Sequence, residues 1–424
     1  MKLLSEISVR IKRGFLPHLT NELYKRGCEM RSLAQLEQDG GGDLFAIEVQ
    51  CDSMEGFAAF LERIGRFSEN FELVSVRNAL DELIEGGLLR VSGGLPLEQA
   101  DDFETKVLGA TALLLERAAS GGSARTGIAR NVAVVSGVRA NPGGGTAPVA
   151  EEYVRNERDA LVVSRFAGLN AYPLVIVFDH IEDFVKSLRA IEGTFAAVRI
   201  SSVGEVEDPS DLEQVSAGVT VPLVTRDHDE TPALLLAVID GLSEKNGLER
   251  GETSVGFAGI DCAAIRLTHL LAARGYRRIL GCDASETLML ALEKAGGLAT
   301  TLENIFGNAD IVVRGARDVT EADLRKIRPG QLVISLVPVT AEEEAVFRER
   351  GVRAHVVVSE QHRASVLPGL LMGAHRAGLC GIDDGRIIAA SRLLVESASP
   401  GAYLPELFGG IHDRLAGLIS APAR

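Results

Sequence analysis

Apolar and polar residues alternate along the first eighty residues in a pattern that predicts a small α/β unit. Ile7 to Ile11 alternates like a half-buried strand, and Arg13-Gly14-Phe15 opens a helical stretch that stops at Gly27. Two strand-like runs follow around a glycine-rich turn, and then a one-sided apolar helix and a last strand at 71–76. The order βαββαβ is that of a ferredoxin-like module.

Beyond a loose, glycine-containing connection at 81–95, short apolar runs alternate with helical segments in two successive sets. This rhythm is typical of parallel sheets with helices on their faces. We therefore predict an α/β protein with a ferredoxin-like module at 1–80, a linker at 81–95 and an α/β domain at 96–231. A Rossmann-like domain with C-terminal helices is predicted to follow at 232–424.

Composition excludes several classes of function. The 424 residues include 44 Lys and Arg against 59 Asp and Glu, a net charge of -15, so we expect no nucleic-acid partner. Without a run of eighteen apolar residues or a cleavable signal, we expect no membrane insertion and a cytoplasmic location. The five scattered cysteines are odd in number, which favours reduced thiols over a disulfide framework or a zinc site.

A degenerate dinucleotide motif opens the last domain. Rossmann folds use G-x-G-x-x-G between the first strand and helix, and an acidic residue about twenty residues later. Here Gly259 keeps the first glycine, but Asp261 replaces the second, and Asp283 follows at the end of the next strand. The Asp261 carboxylate should repel a pyrophosphate. We therefore expect no cofactor other than NAD held with low affinity, or a nucleotide pocket that has closed.

Two segments of the chain carry recognisable motifs: Arg165 to Pro173 reads RFAGLNAYP, and Asn131 to Ser136 reads NVAVVS. They resemble the K-F-A-x-I-D-A-F/Y-P stretch and the N-L-V-A-V-V-S strand of the bacterial malic enzymes. Thr194 to Val198 resembles the T-F-G-G-I strand, and Leu367-Pro368-Gly369 matches a later landmark. Because these segments come in the family's order, the resemblance extends from about residue 89 to the C-terminus.

The resemblance also bears on the first module. Several bacterial malic enzymes carry an ACT-like domain at the N-terminus, so the module is expected to be ACT-like. Gly14 and Phe15 would then lie beside an amino-acid or other small-molecule effector. The alternative is a module used only for dimerisation.

Malic enzymes oxidise malate with NAD(P) and decarboxylate the product, using a divalent metal, a Lys base and a Tyr acid. Oxygen ligands and proton-transfer groups are what this chemistry requires. The resemblance places these functions on positions that hold other residue types here. The acid falls on Lys106, the base on Asp159, the metal ligands on Ser201, Ser202, Arg226 and Asp227, and the malate-binding asparagines on Val337 and Arg363.

These replacements lead to two hypotheses. The first is a malic-enzyme-like protein without catalytic residues or a metal, a pseudoenzyme acting as a regulatory or structural module in a homodimer or higher homo-oligomer. The alternative is an active enzyme, either an NAD(P)-dependent malic enzyme or an oxidoreductase that has reused groups such as Lys106 and Asp159. Lys106 and Asp159 are expected to be neighbours that pair in the old cleft. The alternative is that Lys106 points to solvent and the two never meet.

Three further patterns have competing interpretations. Asp227 to Glu230 could form a metal cluster, but four consecutive polar residues favour a solvated loop. His362-Arg363 is expected to be a surface pair, with anion binding as the alternative. Cys262 is expected to be packed in the core, although a thiol at a helix N-terminus can also be reactive.

Overall fold

The computed structural model describes residues 3–39, 42–51, 53–78, 130–140, 147–204, 209–315, 319–399 and 401–422. The chain divides into two compact units, within 1–92 and within 93–424. We call them the N-terminal unit and the C-terminal unit.

The N-terminal unit has the predicted βαββαβ order. Its four strands form one antiparallel sheet in the order β2-β3-β1-β4, which is the ferredoxin-like topology. The elements are β1 (Leu3–Ile11), α1 (Leu16–Tyr24), β2 (Cys28–Asp39), β3 (Gly42–Cys51), α2 (Met54–Gly65) and β4 (Phe71–Asn78).

Local sequence signals explain how this unit folds. The side chain of Ser53 caps α2 by accepting a hydrogen bond from the Gly56 amide, and α2 buries Phe60 against the sheet. Gly14 follows β1 with φ of 87°, a conformation that favours glycine. The Phe15 ring lies edge-on to that of Phe71, 6.2 Å between centroids, so this side chain contributes to packing. The effector role of Gly14 and Phe15 stays a prediction.

Two of the five cysteines depart from expectation. Cys28 and Cys51 face each other in the antiparallel register of β2 and β3 and form a disulfide. The prediction that all cysteines are reduced thiols is therefore wrong for this pair. Their separation of 23 residues gave no hint of the contact, because the strand register creates it.

The described part of the C-terminal unit begins with a four-stranded parallel sheet in the order β6-β5-β7-β8. Most residues of its strands are apolar, as expected for a sheet covered on both faces. The elements are β5 (Asn131–Arg139), α3 (Ala147–Ala167), β6 (Asn170–Phe178), α4 (Ile181–Glu192), β7 (Ala197–Val203), α5 (Ser210–Gly218) and β8 (Leu223–Thr225).

A π-helical turn at Arg226–Glu230 and the buried helix α6 (Thr231–Asn246) lead into a second parallel sheet of six strands. Its order, β11-β10-β9-β12-β13-β14, is the Rossmann order, so the predicted fold class is confirmed. The strands are β9 (Ser254–Ala258), β10 (Arg278–Cys282), β11 (Leu298–Ala299), β12 (Ile311–Arg314), β13 (Leu332–Ser335) and β14 (Ala354–Val357). The helices between them are α7 (Cys262–Ala273), α8 (Glu286–Lys294), α9 (Leu302–Asn308), α10 (Glu321–Leu324) and α11 (Ala341–Glu349).

Four more helices follow in the described part of this unit: α12 (Glu360–Ala364), α13 (Leu367–Ala377), α14 (Asp384–Ser397) and α15 (Ile411–Ser420). Gly369 and Gly373 let α15 approach α13 closely, because a Cβ on either would lie within 2.6 Å of the Leu415 or Ile419 side chain. Cys262, at the start of α7, is buried as predicted. Within the described ranges, no helix combines the length and apolarity needed to span a bilayer.

Candidate functional site

The carboxyl ends of strands from both parallel sheets converge on one small cavity. Open α/β sheets bind ligands at this edge. The volume of the cavity is about 130 Å³, and we call it the central cavity. A second cavity of about 220 Å³ shares Arg226 and Arg363 with it. The central cavity is lined by Ser201, Ser202, Arg226, Asp227, Thr231, Asp261, Leu336 and Arg363.

The π-helical turn positions the charged residues of the central cavity. Thr225 fixes the start of the turn, since its hydroxyl accepts from the His228 amide and its own amide donates to Asp229 at 2.6 Å. The turn leaves Arg226 and Asp227 lining the cavity and buries Asp229 and Glu230 in the protein. The prediction of a solvated loop here is therefore wrong. Burial raises the pKa of Asp229 to about 7, although its hydrogen bonds from Thr225 act in the opposite direction.

Arg199 is the centre of a buried ion-pair network. Its Nε and Nη2 donate to the two carboxylate oxygens of Glu230 at 2.8 and 2.9 Å, and its Nη1 donates to Asp159 at 2.7 Å. Arg199, Glu230 and Asp159 are each at most 7% exposed. Burial alone would raise the pKa of Asp159, but the charges of Arg199 and Arg158 outweigh it and hold that pKa below its ordinary value.

The two serines at the end of β7 already have protein partners. The Ser201 hydroxyl donates to Asn156 Oδ1 at 2.6 Å and also accepts from Arg199. The Ser202 hydroxyl donates to Glu152 at 3.1 Å. Both hydroxyls are thus engaged with neighbouring side chains at positions where the resemblance expects a carboxylate pair.

Asp227 is the half-buried carboxylate of the central cavity. Its buried surroundings, and next the charge of Asp261, raise its pKa to about 6 against the opposing effect of Arg226 and Arg363. A carboxylate with a pKa near neutrality is suited to accept and release a proton.

The residues present do not fit a divalent metal. Mg²⁺ and Mn²⁺ need several oxygen ligands, with carboxylates among them. Here Ser201 and Ser202 are neutral, and the guanidinium of Arg226 lines the same cavity as Asp227. In the described part of the chain, no group of three or more His, Cys, Asp or Glu side chains is arranged to hold a metal.

The dinucleotide turn keeps its backbone and changes its electrostatics. Gly259 has φ of 93°, as the tight turn requires, and Asp283 braces the turn by accepting from the Ile260 amide at 2.9 Å. Asp261 caps α7: its carboxylate accepts a hydrogen bond from the Ala264 amide at 2.8 Å. This amide at the helix N-terminus is therefore already paired with a carboxylate. The backbone and strand order fit a dinucleotide, and Asp261 opposes its pyrophosphate.

The remaining predicted residues are divided. Arg363, on α12, lines the central cavity, whereas Val337 is half-buried after β13 and its neighbour Leu336 lines the cavity instead. His362 and Arg363 are half-buried, so the expectation of a surface pair is wrong. Lys106 lies outside the described residues, and so does its predicted contact with Asp159.

Sequence reasoning missed Arg199 and did not foresee that Glu230 is its buried partner. Asp159 does bind a cation in the old cleft, but the cations seen in the structure are Arg199 and Arg158. One signal was available: Arg199 interrupts the apolar run from Phe195 to Ile200. A charged residue within a buried strand needs a buried partner.

Comparisons with known proteins agree with this fold. No family model matches the sequence. The NAD-dependent malic enzyme 1 of Bacillus subtilis is 22% identical over 391 residues, which cover 89% of this chain and 87% of that protein. The chain is similar to the malic enzymes over most of its length.

Solved malic enzymes share the architecture. The NAD-dependent malic enzyme of Thermotoga maritima aligns with a TM-score of 0.67 at 18% identity, covering 82% of this chain and 100% of that one. The malic enzyme of Entamoeba histolytica aligns with a TM-score of 0.67 at 17% identity, covering 80% and 79%.

These malic enzymes correct the prediction of a non-catalytic module. The curated relatives carry enzyme names, NAD-dependent malic enzyme among them, and the similarity to the Bacillus subtilis enzyme extends over most of both chains. That prediction relied on the replaced residues at positions 159, 201, 202 and 226. Loss of one set of catalytic groups does not exclude catalysis by other residues.

The buried network predicts a large cost for removing Arg199. Arg199→Met leaves the buried carboxylates of Glu230 and Asp159 without the positive charge of Arg199. It should lower the free energy of unfolding by about 3–5 kcal/mol. Arg199→Met combined with Glu230→Gln should be less destabilised than the single variant. The exposed ion pair Arg66–Glu62 provides the control, since Arg66→Met should cost about 1 kcal/mol or less. Urea unfolding measures these free energies. Equal losses for Arg199→Met and Arg66→Met would show that the network does not stabilise the fold.

The raised pKa of Asp229 predicts a pH-dependent stability. The folded state holds this proton more tightly than the unfolded chain, so ionisation costs stability as pH rises from about 4 to about 7. Asp229→Asn removes that cost, and should stabilise the protein at pH 8 by roughly 2–4 kcal/mol more than at pH 4. Urea unfolding of both proteins at the two pH values measures the difference. An equal effect of the substitution at both would contradict the prediction.

The Asp261 carboxylate predicts low NAD affinity. We expect a dissociation constant no tighter than roughly millimolar, about -4 kcal/mol. Asp261→Asn keeps a capping oxygen but removes the charge, and should tighten NAD binding at least tenfold, as should Asp261→Gly. Isothermal calorimetry showing low-micromolar binding to the unmodified chain would show that this carboxylate does not oppose NAD.

Proposed function

We propose that the protein is an NAD-dependent oxidoreductase of the malic-enzyme type that acts on a small 2-hydroxy carboxylate without a divalent metal. One observation carries this proposal. Asp227, the carboxylate with a pKa of about 6, lines a cavity that also contains Asp261 of the dinucleotide turn. A proton acceptor and the turn that would hold a dinucleotide therefore meet in one place.

The chemistry follows from these groups. The substrate's hydroxyl proton passes to the Asp227 carboxylate while the carbon–oxygen bond becomes a carbonyl. NAD would supply the acceptor for the hydride that leaves the same carbon, so two electrons and two hydrogens are accounted for. The Gly259 turn and α7 would hold the dinucleotide, and Asp283 keeps the turn in place through the Ile260 amide.

The Arg199 network gives the site one fixed wall. The Arg199 network ties α3, β7 and the π-helical turn together, since its partners Asp159 and Glu230 lie on the first and last of these. A rigid wall holds a proton acceptor in one position, and this lowers the entropic cost of reaction. The predicted homo-oligomer and the ACT-like role of the N-terminal unit stay proposals beside this one.

The test is formation of NADH. We expect the purified protein, in EDTA and several millimolar NAD, to reduce NAD with a 2-hydroxy acid from a panel that includes malate, lactate and glycolate. Asp227→Asn should lower kcat at least a hundredfold, since a positioned proton acceptor contributes about 10²–10⁴. Asp413→Asn, an exposed carboxylate on α15, is the matched control and should leave kcat unchanged.

Two results would overturn the proposal. One is the absence of NADH with every acid, in EDTA and in Mn²⁺ alike. The other is activity that appears only with malate and Mn²⁺, accompanied by about one equivalent of bound metal in elemental analysis. That second result would identify a metal-dependent malic enzyme.

A further inference from the structure

Two arginines of the central cavity are incompletely paired. Arg226 makes one loose ion pair, 3.6 Å from Glu360. The Nη1 of Arg363 pairs with the same carboxylate at 2.5 Å, while its Nε is buried and has no hydrogen-bond partner. Arg158 also pairs with this carboxylate at 2.9 Å, so three guanidinium groups share it, and Glu360 is itself 46% exposed at its side chain.

Arg199 shows what a purely structural arginine looks like in the same region. Each of its three nitrogens donates to a buried carboxylate oxygen. Arg226 and Arg363 lack such partners, and the ion pairs of the described residues include none between them and Asp227 or Asp261. A buried guanidinium nitrogen without a partner is costly, so its persistence beside a cavity points to a ligand.

The chemistry of the cavity selects that ligand. Guanidinium groups bind carboxylates through paired N–H donors, which an ammonium or a neutral side chain cannot match. The Asp227 carboxylate on the same wall accepts a hydrogen bond, and so it suits a hydroxyl on the carbon beside the ligand's carboxylate. The cavity volume of about 130 Å³ limits the ligand to a few carbon atoms.

We propose that Arg226 and Arg363 form a binding site for the carboxylate of a small organic acid, in which two guanidinium groups replace a divalent cation as the anchor. Only the assignment of this acid as the substrate rests on the proposed function. Binding itself requires neither NAD nor turnover.

The test measures binding without NAD. The probes are oxalate and malate, titrated calorimetrically in EDTA at fixed ionic strength, with inorganic phosphate as the comparison anion. We expect at least one of the two organic acids to bind, and phosphate to bind more weakly. Arg226→Gln or Arg363→Gln should weaken binding of the organic acid at least tenfold. Arg363→Lys should recover only part of that affinity.

A matched control separates this site from general electrostatics. Arg266 lines a different cleft and pairs with Asp384 at 2.5 Å, so Arg266→Gln should leave binding unchanged. A readout of stability checks the role of Arg363. Because its Nε has no partner, Arg363→Gln without ligand should keep or raise the Tm, whereas a structural arginine would lower it.

The outcomes separate this inference from the proposed function. Organic-acid binding that survives both substitutions, that needs Mn²⁺, or that is no tighter than phosphate binding would overturn the guanidinium site. Binding that follows the predictions without any NADH formation would leave the site standing and refute the proposed function. NADH formation that is unchanged by substitution of either arginine would support the proposed function and refute the guanidinium site.

Discussion

The interaction on which the C-terminal unit depends is the pairing of Arg199 with Glu230 and Asp159. A guanidinium within a parallel strand is tolerated only when carboxylates meet it at hydrogen-bond distance, because an uncompensated charge in the interior costs several kcal/mol. Satisfying Arg199 requires α3 to present Asp159 and the π-helical turn to bury Glu230. The same requirement fixes where Arg226 and Asp227 lie, since they begin that turn.

This constraint explains how the site differs from that expected by resemblance. The Arg199 network and Asn156 engage the hydroxyl of Ser201 where a metal-binding carboxylate was expected. Arg226 adds a positive charge beside Asp227, which opposes a cation further. The cavity that remains contains under-coordinated guanidinium groups and a carboxylate. We therefore attribute to arginine the anchoring of the ligand that a metal performs in the resembling family.

Much of the fold could be predicted from the sequence. The apolar runs and their glycine-rich turns predicted the ferredoxin-like module and the Rossmann sheet, because periodicity reports local structure directly. The prediction failed for Asp227 to Glu230. Four polar residues favour solvent on composition alone, whereas the structure buries two of them against Arg199 and Thr225. Long-range partners decide such cases, and no window of sequence contains them.

Diffraction from crystals soaked with Mn²⁺ and oxalate tests the central claim most directly. The account predicts oxalate bound by Arg226 and Arg363, and no anomalous peak from manganese beside Asp227. A manganese peak within coordination distance of Asp227, bridging it to oxalate, would contradict the replacement of the metal by arginine.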